Sequence, residues 1–292
     1  MANTTPLIGA HMPTAGGHGN AITSGHAIGC EAIQLFTASP RQWRANPIAD
    51  EAARAFRTLR AEHGAMPLIA HDSYLINLAA PAGSEVLEKS LAAFRGEIER
   101  AEALGLDFLV SHPGAHGGDG EDIGIARLVE SLDIVHQETA GAKVRVALET
   151  TAGQGTYLGN KFEHLARIMD GVKEPDRLVV CLDTCHVFAA GYDIRTAEAY
   201  EATFAQFDKI VGRKHLAVIH ANDSMKAFNS HADRHEHIGK GEIGMEAFWL
   251  LVNDSHFGGV PIIVETPESE TMHTVNVALL RGLIGASEPG QA

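Results

Sequence analysis

Cysteine is scarce in this sequence: three residues in 292, Cys30, Cys181 and Cys185. They form no CxxC pair and no even set, which excludes a disulfide framework and leaves packed thiols, rather than ligands, in a reducing compartment. No stretch of about 18 apolar residues occurs, so no membrane span is expected. The opening MANTTPLIGAHMP lacks a basic segment followed by an apolar core and a small-residue cleavage site, which points to the cytoplasm. Basic residues are in deficit, 23 Lys and Arg against 37 Asp and Glu, for a formal charge of −14. Taken alone, that balance argues against a nucleic-acid partner, because phosphate binding leaves a basic footprint. Linkers and low-complexity tracts are lacking as well, and 45% hydrophobic residues in this length can bury one large core. One domain over residues 1–292 is the expectation.

What the sequence does have is a recurring short apolar run that ends in polar residues. PLIGAH, AIQLF, PLIAH, FLVSH, VRVALE, LVVCLD, LAVIH and PIIVE are eight such runs, centred near Ile8, Gln34, Ile69, Val110, Ala147, Val180, Val218 and Ile263. Between them lie helix-like segments, among them ADEAARAFRTLRAEHG, SEVLEKSLAAFRGEIERAEALG and TAEAYEATFAQFDKIVG, each closing on Gly as helix C-termini commonly do. Continuous apolar strands alternating with amphipathic helices are what a parallel sheet buried on both faces requires. Eight such units predict a (β/α)8 TIM barrel, with a doubly wound open sheet as the alternative.

In such a barrel the functional site forms at the C-terminal ends of the strands. The residues closing the runs are His11, Phe36 with Arg41 beyond it, His71, His112, Glu149, Asp183 with His186, His220 and Glu265. A single His at a strand end is commonly a hydrogen-bonded rim residue. Six consecutive ends bearing His, Asp or Glu would repel one another or stay unsatisfied unless cations sat among them, and this nitrogen and oxygen donor set suits zinc, manganese or iron. Asp233 and His235 in DRHEH are two apart, so in an extended segment they point the same way and can clamp one ion. Asp183 and His186 are three apart across a strand end and face two neighbouring ions. His71, His112, Glu149, Asp183, His186, His220, Asp233, His235 and Glu265 are too many ligands for one or two open tetrahedral sites, and three metals with bridging carboxylates fit better.

The stretches HDSYLINLA, SHPGAHGG, LETTAGQGTYLG, CLDTCHVFAAGYD, HANDS, DRHEHIGKGEIG and PIIVETP resemble, in order and from about residue 8 to 283, the motifs of the endonuclease IV family of apurinic/apyrimidinic endonucleases. The resemblance implies a barrel with a trinuclear zinc site that hydrolyses the phosphodiester 5′ to an abasic site in duplex DNA. Carried over by position, it assigns His71 and His112 to a first zinc and Glu149 as its bridge to a second. Asp183, His220 and Glu265 complete the second, and His186, Asp233 and His235 hold the third. Glu149 is also the candidate that orients the nucleophile. Arg41, Tyr74 and Leu75, with Gln42 assisting, match positions that enter DNA near the lesion. Further implications are manganese or iron as substitute metals, removal of 3′ blocking groups, a monomer, and a place in the bacterial cytosol or nucleoid.

The sequence departs from the family pattern at Thr150, where Asn is usual, at Met12-Pro13, where Ser follows the His, and at Met225, which displaces a Lys to Lys226. His116 is a candidate neighbour of the ligands, and the remaining histidines read as surface or packing residues. Two rivals exist. Metal-dependent sugar isomerases and epimerases use the same barrel, but need a Lys or second Glu for proton transfer and no clamp like DRH. A non-catalytic metal- or DNA-binding protein would tolerate loss of a ligand, and none is lost.

Overall fold

The structure, a computed structural model, describes residues 5–289. Each apolar run forms a strand: β1 (Leu7–His11), β2 (Ala32–Phe36), β3 (Leu68–His71), β4 (Phe108–Ser111), β5 (Arg145–Glu149), β6 (Leu178–Asp183), β7 (Leu216–His220) and β10 (Pro261–Val264). They close into a parallel barrel in the order β1-β10-β7-β6-β5-β4-β3-β2, so the barrel stands and the open-sheet alternative falls. Between them run α1 (Gly19–Ala27), α2 (Asp50–Glu62), α3 (Glu85–Leu104), α4 (Glu121–Glu138), α5 (Phe162–Gly171), α6 (Thr184–Ala189), α7 (Ala197–Ile210) and α8 (Met245–Asn253), and α9 (Ser269–Leu283) follows the last strand. The longest, α3, starts where the Ser84 hydroxyl accepts the Leu87 N–H and stops at Gly105, whose φ of 71° continues no helix. Among the described residues no helix is long and apolar enough to cross a membrane.

Strand periodicity positions the site. Ala32, Ile69, Val110, Ala147, Val179, Cys181, Val218 and Ile263 pack together and fill the barrel interior. Their strand neighbours, such as Ile33, Leu68, Val146, Leu148, Val180, Leu182, Ile219 and Ile262, belong to the larger core shared with the helices. Successive side chains alternate between faces, so stepping two residues on from the interior set reaches Gln34, His71, His112, Glu149, Asp183, His220 and Glu265. The same alternation that buries the run therefore delivers its terminal polar residue to one mouth. Close approach inside the barrel also demands Gly9, because a Cβ there would lie 1.8 Å from the Ala32 carbonyl oxygen.

The connection from β7 to β10 carries more than a helix. Asp223–Ser224 (β8) pairs antiparallel with His235–Glu236 (β9). Asp223 anchors this hairpin: Oδ1 accepts from Ser224 and Ile243 N–H, and Oδ2 accepts from Gly241 N–H. The DRHEH segment is thus a pinned hairpin edge rather than a plain extended loop.

Candidate metal centre

Glu149, at the end of β5, is 1% exposed. Its Oε2 lies 3.1 Å from His71 Nε2 and 3.0 Å from His112 Nε2. Its Oε1 lies 3.0 Å from His220 Nδ1, which is itself 3.1 Å from Glu265 Oε2 and 3.9 Å from Asp183 Oδ2. One carboxylate therefore faces two ligand groups at once. His186 Nε2 and His235 Nε2 lie 3.2 and 3.3 Å from the two oxygens of Asp233, and His235 Nε2 is 3.6 Å from Asp183 Oδ2. All nine sequence-predicted ligands meet in this way. Among the five sets whose ligand atoms lie mutually within 4.8 Å, three draw only on the predicted ligands: His71, His112 and Glu149; Glu149, Asp183, His220 and Glu265; and Asp183, His186 and His235. The last set differs from the sequence expectation, since Asp183 reaches both neighbouring groups while Asp233 closes on His186 and His235 from the hairpin.

Local structure explains why Asp183 and His186 diverge. Asp183 is the N-cap of α6: its Oδ1 accepts the His186 N–H, and its Oδ2 accepts from Asn222 Nδ2. Capping places His186 on the first turn of the helix, away from the strand that carries Asp183. Thr150, where the family has Asn, accepts the Asp183 N–H through Oγ1, and its carbonyl accepts from His186 Nδ1 at 2.8 Å.

The electrostatics match the donor set. Burial opposes the Glu149 and Glu265 charges, yet the surrounding imidazoles hold both carboxyls well below the usual range. Burial equally opposes charge on His71 and His235, but Glu149 lifts the first to about 9 and Asp183 with Asp233 lifts the second to about 9. A site that draws positive charge onto buried imidazoles is one that favours a divalent cation. His186 Nε2 and His235 Nε2 are buried and face the Asp233 carboxylate, with His235 Nε2 facing Asp183 as well, as nitrogens placed for coordination would be. The residues present fit a multinuclear site for zinc, or for manganese or iron.

Cys181 and Cys185 are buried beside the same groups and fall in the two remaining sets, and burial pushes both thiols up to about 12. His116 is not a neighbour of the ligands in its bonding: its Nδ1 accepts from Gly118 and Gly120 N–H and shapes the turn before α4. His136 and His164 are buried away from the ligands, whereas His273, also buried, lines the ligand cavity with its Nε2 3.2 Å from the Thr266 carbonyl.

Seven of the nine predicted ligands, all but the fully buried Asp183 and His220, line a cavity of about 390 Å³ that also touches His11, Met12, Pro13, Phe36 and Tyr74. Tyr74 is 59% exposed and meets Phe36 edge-on at 5.7 Å. Leu75 lines an adjoining cavity with Tyr157 and Gln154. Arg41 and Gln42 are exposed on the loop after β2 and do not line the ligand cavity; Gln42 faces a separate one beside Trp43 and Arg44. Ser73 Oγ donates to the Pro40 carbonyl at 2.9 Å and ties that loop to the Tyr74 loop. Met225 and Lys226 are exposed outside the cavity.

Two contributors escaped the sequence reading. Gln34 is fully buried in β2 and bonds to Glu265, His11 and His220. Its signal was a polar residue at an inward position of AIQLF. Asn222, in HANDS, orients Asp183 and accepts the Glu265 N–H through Oδ1.

The family model AP_endonuc_2, described as a xylose isomerase-like TIM barrel, matches residues 24–283. A protein of Chloroflexus aurantiacus named "Probable endonuclease 4" is 49% identical over 97% of this chain and 100% of its own length. One of the same name from Geobacter sulfurreducens is 48% identical over 95% of this chain and 94% of its own. The crystal structure of endonuclease IV from Thermus thermophilus superposes with a TM-score of 0.85 at 33% identity, covering 95% of this chain and 98% of that one. A D-tagatose 3-epimerase-like protein at 17% identity and a TM-score of 0.69 shares the fold alone. A barrel whose mouth gathers nine His, Asp and Glu side chains able to hold metal, and whose full-length relatives are named endonuclease 4, places this chain in the endonuclease IV family.

Proposed function

We propose that this protein is a DNA-repair enzyme that hydrolyses the phosphodiester 5′ to an abasic site in duplex DNA, leaving a 3′-hydroxyl and a 5′-deoxyribose phosphate, and that also removes 3′ blocking groups. It works in this reading as a cytoplasmic monomer with three zinc ions, for which manganese or iron can substitute. The observation that carries the reading is Glu149, a buried carboxylate facing His71 and His112 with one oxygen and His220 with the other. Bound divalent ions would supply an ionised water at neutral pH and offset charge on the phosphoryl and leaving oxygens.

The chain's own residues do the rest. His71, His112 and Glu149 form one ligand group, Asp183, His220 and Glu265 join Glu149 in a second, and His186, Asp233 and His235 close the third. Glu149, held unprotonated by its imidazole neighbours, orients the attacking water as an acceptor. A missing base makes extrusion of the sugar cheap, so a cavity of about 390 Å³ beside the ligands selects for damage. Tyr74 and Leu75 wedge into the resulting gap, and Arg41, assisted by Gln42, enters the DNA near the lesion from the adjacent loop. The acidic excess of −14 is offset at the mouth by the bound cations and otherwise lies on the outer helices, which makes binding weak and salt-sensitive.

The test is incision of a duplex carrying one tetrahydrofuran abasic analogue, which cannot undergo β-elimination, with both termini of the nick resolved. A 3′-hydroxyl and a 5′-phosphate-bearing sugar remnant, lost on metal stripping, support the reading. An intact duplex together with interconversion of small sugars would transfer the protein to the epimerase chemistry of its barrel class.

A further inference from the structure

The imidazoles of the centre do not all present the same nitrogen. His71, His186 and His235 each give Nδ1 to a backbone carbonyl: Asp72 O at 3.0 Å, Thr150 O at 2.8 Å and Glu265 O at 3.2 Å. A carbonyl only accepts, so each Nδ1 carries the proton and Nε2 faces the ligand cluster. His220 is reversed. Its Nδ1 faces Glu149 Oε1 at 3.0 Å and Glu265 Oε2 at 3.1 Å, while its Nε2 lies 2.7 Å from Gln34 Oε1.

Which end of the Gln34 amide meets His220 decides the matter, and the structure supplies the reason. The other amide terminus lies 2.5 Å from Glu265 Oε1. An ionised carboxylate only accepts, so that terminus must be the NH2 group. The amide oxygen is thereby committed to His220, and the His220 proton to Nε2. The second hydrogen of the NH2 group meets His11 Nδ1 at 3.0 Å, which leaves no polar atom of the buried amide idle.

We propose that Gln34 is a positioning residue that makes His220 an Nδ1 ligand and orients Glu265 beside it. This rests on the metal-centre reading above and extends it to a residue that touches no metal. A hydrogen-bonded partner behind a ligating imidazole fixes its tautomer and ring orientation, and losing one typically weakens metal affinity by about 10- to 100-fold. The other three rings are anchored by main chain, which substitution does not remove; His220 alone of these four depends on a side chain. Gln34 reaches it from β2, across the barrel, so packing alone would be served by any residue of the same volume.

Two measurements test this. In the wild-type protein loaded with isotopic cadmium, histidine-ring nitrogen NMR should show metal coupling through Nδ1 for His220 and through Nε2 for His71, His186 and His235. In Gln34→Met, which keeps length and volume, competition against a zinc chelator should show one class of ion bound about 10- to 100-fold more weakly, with the remainder unchanged. Coupling through Nε2 of His220, or unchanged affinity at every site in Gln34→Met, overturns the inference and leaves the metal centre standing. If Gln34→Met does not fold, the wild-type spectrum still decides. A wild-type protein that binds neither metal removes the centre and this inference together.

Discussion

Replacing Tyr74 by Ala should separate DNA recognition from the metal centre. A fully covered tyrosine buries about 150–250 Å², and 59% of Tyr74 is exposed, so roughly 90–150 Å² remains for a partner to cover. At about 25 cal/mol/Å² that area is worth roughly 2–4 kcal/mol, and part of it is offset by ordering the ring and the DNA on association. Base–aromatic stacking measured by alanine substitution falls at about 1–3 kcal/mol. The expected loss is therefore about 2 kcal/mol, or roughly 30-fold in kcat/KM for an abasic duplex. The fold should hardly notice, since 59% of the residue is already exposed, and the Tm should move by less than about 2 °C. Steady-state incision and zinc content measured on the same preparation check this, with Tyr74→Phe as the control that keeps the ring. Unchanged kcat/KM in Tyr74→Ala with full metal content would refute the wedge.

Other outcomes follow from the same geometry. Glu149→Gln removes the carboxylate shared by two ligand groups and should lower incision by about 10³-fold or more, read in single-turnover assays with zinc content measured in parallel. Gly9→Ala would set a Cβ 1.8 Å from the Ala32 carbonyl and should cost the barrel several kcal/mol, seen as a large fall in the denaturation midpoint. His136 is buried in α4, with Arg177 nearby, and burial first and that guanidinium second hold it down to about 4. Its folded pKa lies below the unfolded value of 6.5, so its contribution to stability is intact above pH 6.5 and is lost as pH falls from there toward 4. His136→Phe should flatten the stability profile over that window in urea titrations; an unchanged slope would contradict the assignment.

The barrel and the ligand column were legible because one rule, alternation of period two, writes both the buried run and its polar end. FLVSH shows Val110 inside and, two residues on, His112 at the mouth. Gln34 was passed over because the strand reading stopped at its last residue, Phe36, and nothing local marks a glutamine whose partner Glu265 is 231 residues away. The hairpin that carries His235 leaves no mark in the sequence, since two-residue strands give no apolar alternation. Arg41 and Gln42 lie on the exposed loop after β2, where strand register no longer orients a side chain, and spacing alone gives no direction for them. Thr150 acts partly through its backbone carbonyl, which residue identity does not announce, and Asn222 acts through a side-chain amide whose partners Asp183 and Glu265 are 39 and 43 residues away.

In the proposed function, three metal ions held by these nine residues perform the incision. Zinc titration of the chelated protein, with the single-turnover rate on a tetrahydrofuran duplex followed per equivalent added, tests it most directly. The account predicts no incision without metal and a rate that rises until three zinc ions are bound per chain. Full incision by the metal-free protein, or a rate that saturates with a single ion bound, would contradict it.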